Sequence, residues 1–112
     1  MTTKEIATML ASVGVPTAYY EFPETQEGPP YLCFYFTSDN DVKADNLNYV
    51  RIEDLIVELY TDTKDFNLEK TLEGVLTAAG LVWTKAEDHL GDERMYEVIY
   101  EMNVIITEET NG

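Results

Sequence analysis

Met95-Tyr96-Glu97-Val98-Ile99-Tyr100-Glu101-Met102-Asn103-Val104-Ile105-Ile106 is the stretch that decides the fold. Tyr96, Val98, Tyr100, Met102, Val104 and Ile106 recur at every second position, opposite Glu97, Ile99, Glu101, Asn103 and Ile105. Side chains alternate across a strand, so this pattern predicts one long strand with a core face and a mixed face. Upstream, residues 87–94 read as a polar turn, and Leu81 to Ala86 read as a strand carrying the only tryptophan, Trp83. The last third of the chain is therefore expected to be a hairpin.

Continuing toward the N-terminus, Asp65 is placed to cap a helix whose stripe is Leu68, Leu72, Val75, Leu76 and Ala79, and Gly80 ends it. Gly74 inside that helix costs about 1 kcal/mol of propensity, offset only if close packing requires it. Before the helix, Leu47 to Tyr60 read as a long strand interrupted at Glu53-Asp54, where a bulge or bend is expected. Tyr31 to Thr37 form a strand with hardly a polar break, which implies cover on both faces or an interface. Residues 38–46 are a polar loop between these strands. Pro23 to Pro30 is a second loop, after a short strand from Thr17 to Phe22. The first element is a helix: Thr2 and Glu5 stand at capping-box spacing, Ile6, Met9, Leu10 and Val13 share a face, and Gly14 and Pro16 end it. The order helix, strands, helix, hairpin predicts an α+β domain, with an antiparallel or mixed sheet of four to five strands and both helices on one face. The domain spans 1–107, leaving 108–112 as a short acidic, polar tail.

At 112 residues the chain suits one domain. Twenty-two acidic residues against seven basic ones give a formal charge of −15, distributed along the whole chain. Such a surface repels nucleic-acid phosphates and keeps a small domain dispersed. One cysteine, Cys33, forbids an internal disulfide and suits a reducing compartment. No apolar stretch follows Met1 and none is long enough to span a bilayer, so neither secretion nor membrane insertion is expected.

The residue types that carry chemistry are sparse. His89, the single histidine, falls in the expected turn without a serine or cysteine at nucleophile–base spacing. Cys33 sits in the most apolar strand, where a thiol packs as a small hydrophobe. Asp39-Asn40-Asp41-Val42-Lys43-Ala44-Asp45 has oxygen ligands at alternate positions, but Lys43 and Ala44 occupy a ligand and a glycine position of a calcium loop, and Val50 stands where its bidentate glutamate belongs. No enzymatic activity, cofactor, metal or small-molecule substrate is expected. The eight tyrosines are the stronger signal, because tyrosine supplies rigid contact area at protein interfaces, and Tyr19, Tyr20, Tyr31, Tyr35 and Tyr49 gather near the middle strands.

Tyr19-Tyr20-Glu21-Phe22-Pro23, Pro29-Pro30-Tyr31, Ala44-Asp45-Asn46, Glu58-Leu59-Tyr60-Thr61-Asp62-Thr63-Lys64-Asp65 and Met95 to Met102 occur in an order and spacing that resemble the small tail-completion, or tail-terminator, proteins of siphophages and Gram-positive prophages. The resemblance runs from the first helix to about Ile106 and has no catalytic motif in it. It implies a fold similar to the lambda tail terminator and a ring of like subunits, commonly six. Such a ring caps the tail tube and joins it to the head connector, with DNA only passing through. The implied location is the head-proximal end of the virion tail, after synthesis in the host cytoplasm. Acidic side chains lining the ring would let DNA pass without sticking.

A ring of head-to-tail contacts needs two different complementary patches on each subunit. The expected partner-binding residues are Asp39, Asp41, Lys43, Asp45, Asn46, Tyr49, Arg51 and Glu53, in the 39–46 loop and the strand after it. The alternative reading is an acidic mimic of DNA that inhibits a host DNA-binding enzyme.

Overall fold

In the computed structural model of the chain, described over residues 1–20, 28–39, 51–91 and 95–107, the capping signals act as their spacing predicts. The Thr2 hydroxyl accepts the Glu5 N–H at 3.0 Å and the Glu5 carboxylate accepts the Thr2 N–H at 2.8 Å, which starts α1, Thr3–Ala11. Asp65 accepts the Leu68 N–H at 3.0 Å and starts α2, Phe66–Ala78. Gly14 and Gly80, at φ +99° and +80°, occupy the left-handed region that a side chain would strain, and so turn the chain out of each helix.

Five strands form one mixed sheet: β1 Thr17–Tyr19, β2 Tyr31–Asp39, β3 Arg51–Thr61, β4 Trp83–Leu90 and β5 Met95–Ile106. Their spatial order is β1-β2-β3-β5-β4, with β1 parallel to β2 and the remaining neighbours antiparallel. Because β5 is antiparallel to both β3 and β4, those two run the same way. α2 makes the crossover between them, and β5 fills the gap.

The period-two pattern becomes packing through register. Leu55, Val57 and Leu59 of β3 face Met102, Tyr100 and Val98 of β5, while Leu59 and Val57 also face Leu32 and Phe34 of β2. These side chains form one core with Ile6 and Leu10 of α1 and with Leu72 and Leu76 of α2, so both helices cover the same face. Each fully buried leucine here contributes on the order of 1.5–3 kcal/mol relative to exposure. Thr107 N–H donates to the Met1 carbonyl at 3.0 Å, tying the approach to α1 to the end of β5.

Three local expectations are corrected. The irregularity expected at Glu53-Asp54 lies instead on β2: Phe36 faces Leu55 and Asp39 faces Glu53, so three steps of β2 match two of β3, while β3 keeps unbroken register with β5. Polarity at 53–54 signalled the irregular place, but the extra residue is in the partner strand. The expected turn over 87–94 is shorter, because Glu87, Asp88, His89 and Leu90 remain in β4, paired with Val98, Glu97, Tyr96 and Met95. An edge strand needs no apolar alternation to pair, so polarity hid it. β1 stops at Tyr19, before Tyr20 at φ +74°, and Glu21 and Phe22 of the expected strand lie outside the described residues. Gly74 is exposed, and a methyl group added there meets nothing, so no packing requires a glycine.

Candidate interaction surfaces

The helix-covered side of the sheet carries an ion cluster that periodicity did not reveal. Glu69 projects from α2 and is only 3% exposed. Lys64 lies 2.7 Å from its Oε2, and Lys85 of β4 lies 2.7 Å from its Oε1 without the alignment of a hydrogen bond. Lys85 also donates to Glu73 at 2.7 Å, the hydroxyl of the buried Tyr100 donates to the same Glu73 oxygen at 2.6 Å, and Lys64 contacts Glu87. Burial acts to lower both lysines, but their carboxylate partners outweigh it and hold them above the usual range. Glu73 is held below its ordinary value: burial opposes ionisation, and the bonds from Lys85 and Tyr100 overcome it. A buried carboxylate costs free energy unless paired, and here two lysines meet it. This cluster pins α2 to the β4–β5 hairpin. Trp83 adds to that contact by donating from its Nε1 to the Thr77 hydroxyl at 3.2 Å and packing edge-on against Tyr100 at 5.4 Å.

The opposite face is covered by no described helix. Alternation places Tyr31, Cys33 and Tyr35 of β2 there, with Ile56, Glu58 and Tyr60 of β3 and Glu97, Ile99 and Glu101 of β5. Cys33 and Ile56 are buried, and Tyr35, Glu58, Tyr60, Glu97 and Ile99 are half-buried. Tyr31 stacks on Tyr60 with ring centroids 5.0 Å apart, and Tyr20 meets Tyr35 edge-on at 5.6 Å. The Tyr60 hydroxyl lies between two carboxyls, 2.6 Å from Glu97 and 3.3 Å from Glu58. Burial first, and then the bond and charge of Glu97, push Glu58 from the usual 4.5 up to about 7, against the opposing bonds of Tyr60 and Tyr35. At neutral pH Glu58 therefore holds a proton part of the time. The Cys33 thiol is pushed up to about 11, by burial and then by Glu58, so it is an inert thiol at neutral pH.

β1 and β4 are the edges of the sheet. The β4 edge is exposed from Thr84 to His89 and carries Lys85, Glu87 and Asp88, charges that discourage indiscriminate strand pairing. The β1 edge ends in two exposed rings, Tyr19 at 54% and Tyr20 at 66% exposure. Beside Tyr19 a cleft of about 500 Å³ opens between α1 and the sheet, with Lys4 on one wall and Phe36, Ile106 and Glu53 among its other lining residues.

Of the expected partner-binding residues, Asp41, Lys43, Asp45, Asn46 and Tyr49 lie outside the described residues, as does the calcium-like loop. Asp39 ends β2 and Arg51 begins β3. Glu53 is buried at 8% exposure in the wall of the cleft. The cleft, the Glu58–Tyr60–Glu97 group and the two lysines around Glu69 were not singled out by sequence. The available signal was the row of glutamates alternating with apolar residues in β3 and β5, which marks a face but not its pairing. Among the described residues no group of three or more histidine, cysteine or acidic side chains is arranged to hold a metal ion, and no helix is long and apolar enough to cross a membrane.

No protein-family model matches the sequence, and no curated protein matches it. Among solved structures, the fold is similar to a chain in the virion of a native gene transfer agent particle, with a TM-score of 0.53 and 16% sequence identity over 92% of this chain and 88% of that one. At that identity what the two chains share is the α+β fold.

Proposed function

We propose that this chain is a structural virion subunit of a tailed phage or prophage, which caps the tail tube and joins it to the head connector as a member of a ring of like subunits. The observation that carries this reading is the fold held in common, over nearly the whole of both chains, with a chain of a gene transfer agent virion. The surface supports it. A closed ring requires two unlike patches on each subunit. The β1 edge with its exposed tyrosines and the charged β4 edge are two such patches at opposite sides of one sheet. On this reading the chain acts by contact and not by turnover, and its acidity keeps a DNA passage non-adhesive. The DNA-mimic reading is weaker, because Glu69, Glu73 and Glu87 are already engaged by Lys64 and Lys85.

Particles assembled without this protein test the reading. Electron microscopy is expected to show tails of abnormal length, or heads and tails left unjoined. Intact, infectious particles lacking the chain would overturn it.

A further inference from the structure

We propose that the face of the sheet that no described helix covers, centred on Glu58, Tyr60 and Glu97, is a docking surface for an arginine- or lysine-bearing segment of another protein. The proposal goes beyond the virion reading and does not require a ring.

It rests on the contrast in charge between the two faces. On the helix side, Glu69 meets Lys64 and Lys85, and Glu73 meets Lys85. On the open side, Glu58 and Glu97 share the Tyr60 hydroxyl and are half-buried, and none of the described residues on that face is cationic. Two partly desolvated carboxyls held side by side repel one another, and a cation placed between them removes that cost while gaining charge-assisted hydrogen bonds. The surroundings suit a guanidinium in particular. Tyr31 and Tyr60 stack beside the pair, and Tyr35 stands across β3, so the planar cation has aromatic faces to lie on.

Ile99, half-buried, adds apolar area next to the acids, which gives a segment with both basic and apolar residues something to bury. The like face of a second copy is the wrong occupant, because pairing like faces sets carboxyl against carboxyl. The groups facing Glu58 are Cys33 and Tyr35 from β2, Tyr60 on its own strand, Glu97 and Glu101 from β5, with Asp88 of β4 beyond Glu97. All are acidic or neutral, so an arriving cation draws off the proton that Glu58 holds part of the time, and binding releases it.

The probe is a synthetic peptide alternating arginine and tyrosine, titrated into the ¹⁵N-labelled full chain at pH 7, beside a peptide with glutamate in place of arginine. The expected result is saturable amide shifts at residues 33–35, 56–60 and 97–101 with the arginine peptide and none with the other. Glu58→Gln is expected to weaken binding about tenfold, as loss of one close charge pair does. Asp62→Asn removes the same charge from an exposed turn and is expected to leave the affinity unchanged. Unchanged circular dichroism in both variants separates lost binding from lost fold. Absence of shifts at millimolar peptide, shifts spread over the helix side, equal weakening by the two variants, or self-association that buries this face without peptide would each overturn the proposal.

Discussion

The two faces of this sheet solve the same problem in opposite ways. Both draw glutamates toward apolar side chains. Under the helices the carboxylates of Glu69 and Glu73 are met by Lys64, Lys85 and the Tyr100 hydroxyl. On the open face Glu58 and Glu97 are met by tyrosine hydroxyls and by each other. The first arrangement is complete within the chain and stabilises the fold. Among the described residues the second has no cation to compensate its acidity where contact surface is on offer, which marks a face kept for an encounter and not for stability.

The largest expected difference comes from apolar truncation. Leu72 of α2 is fully buried against the sheet, and Leu72→Ala is expected to cost about 3 kcal/mol through lost transfer energy and the cavity left behind, measured by urea denaturation. Ile99→Ala on the half-buried open face is expected to cost less than about 1 kcal/mol. Equal losses would mean that the open face is as much core as the other.

Next comes the ion cluster. Lys85→Met leaves Glu69 with Lys64 alone and removes one partner of Glu73, at an expected cost of about 2 kcal/mol. That is below the figure for breaking a fully buried pair, because Lys85 is 35% exposed and Lys64 remains. A loss within error would show that the cluster decorates α2 without holding it.

The two faces are also expected to respond to pH with opposite sign. Glu58 binds its proton more tightly in the folded chain than in the unfolded one, so the folded state holds the extra proton between 4.5 and about 7, and stability falls as pH rises through that window. Glu73 is shifted down, so its contribution is present above the unfolded value and is lost as pH falls through its folded one. Urea melts of Glu58→Gln are therefore expected to gain on the wild type as pH rises from about 5 to 8, by less than about 1 kcal/mol given solvent screening. Glu73→Gln is expected to lose less against the wild type in acid than at neutral pH. A Glu58→Gln variant that tracks the wild type at every pH would mean that Glu58 holds no extra proton in the folded chain.

The smallest effect lies at a position belonging to neither face. Gly74 sits on the exposed side of α2 with open space where a methyl group would go, so Gly74→Ala is expected to raise stability by about 0.5 kcal/mol. A loss there would reveal a contact made on that side of the helix. Gly80→Ala provides the opposite control, because its φ of +80° strains any side chain, and a loss of about 1 kcal/mol is expected by thermal melting.

The chain's local chemistry was enough to settle its helix ends and its longest strand. Thr2 and Asp65 start helices because their oxygens reach N–H groups three residues on, Gly14 and Gly80 end them because only glycine turns left without strain, and the alternation from Tyr96 to Ile106 makes a strand. These are interactions over a few residues, and such distances are written directly in the order of side chains. Which strand lies beside which, that β5 enters between β3 and β4, that the extra residue belongs to β2 and not to Glu53-Asp54, and that Lys64 and Lys85 converge on Glu69 while Glu58 is left facing Glu97 were decided only by the packed sheet. Those pairings join groups far apart in sequence, and charge and burial act through space. A glutamate in an alternating strand therefore looks the same in the chain whether a lysine or another acid awaits it across the fold.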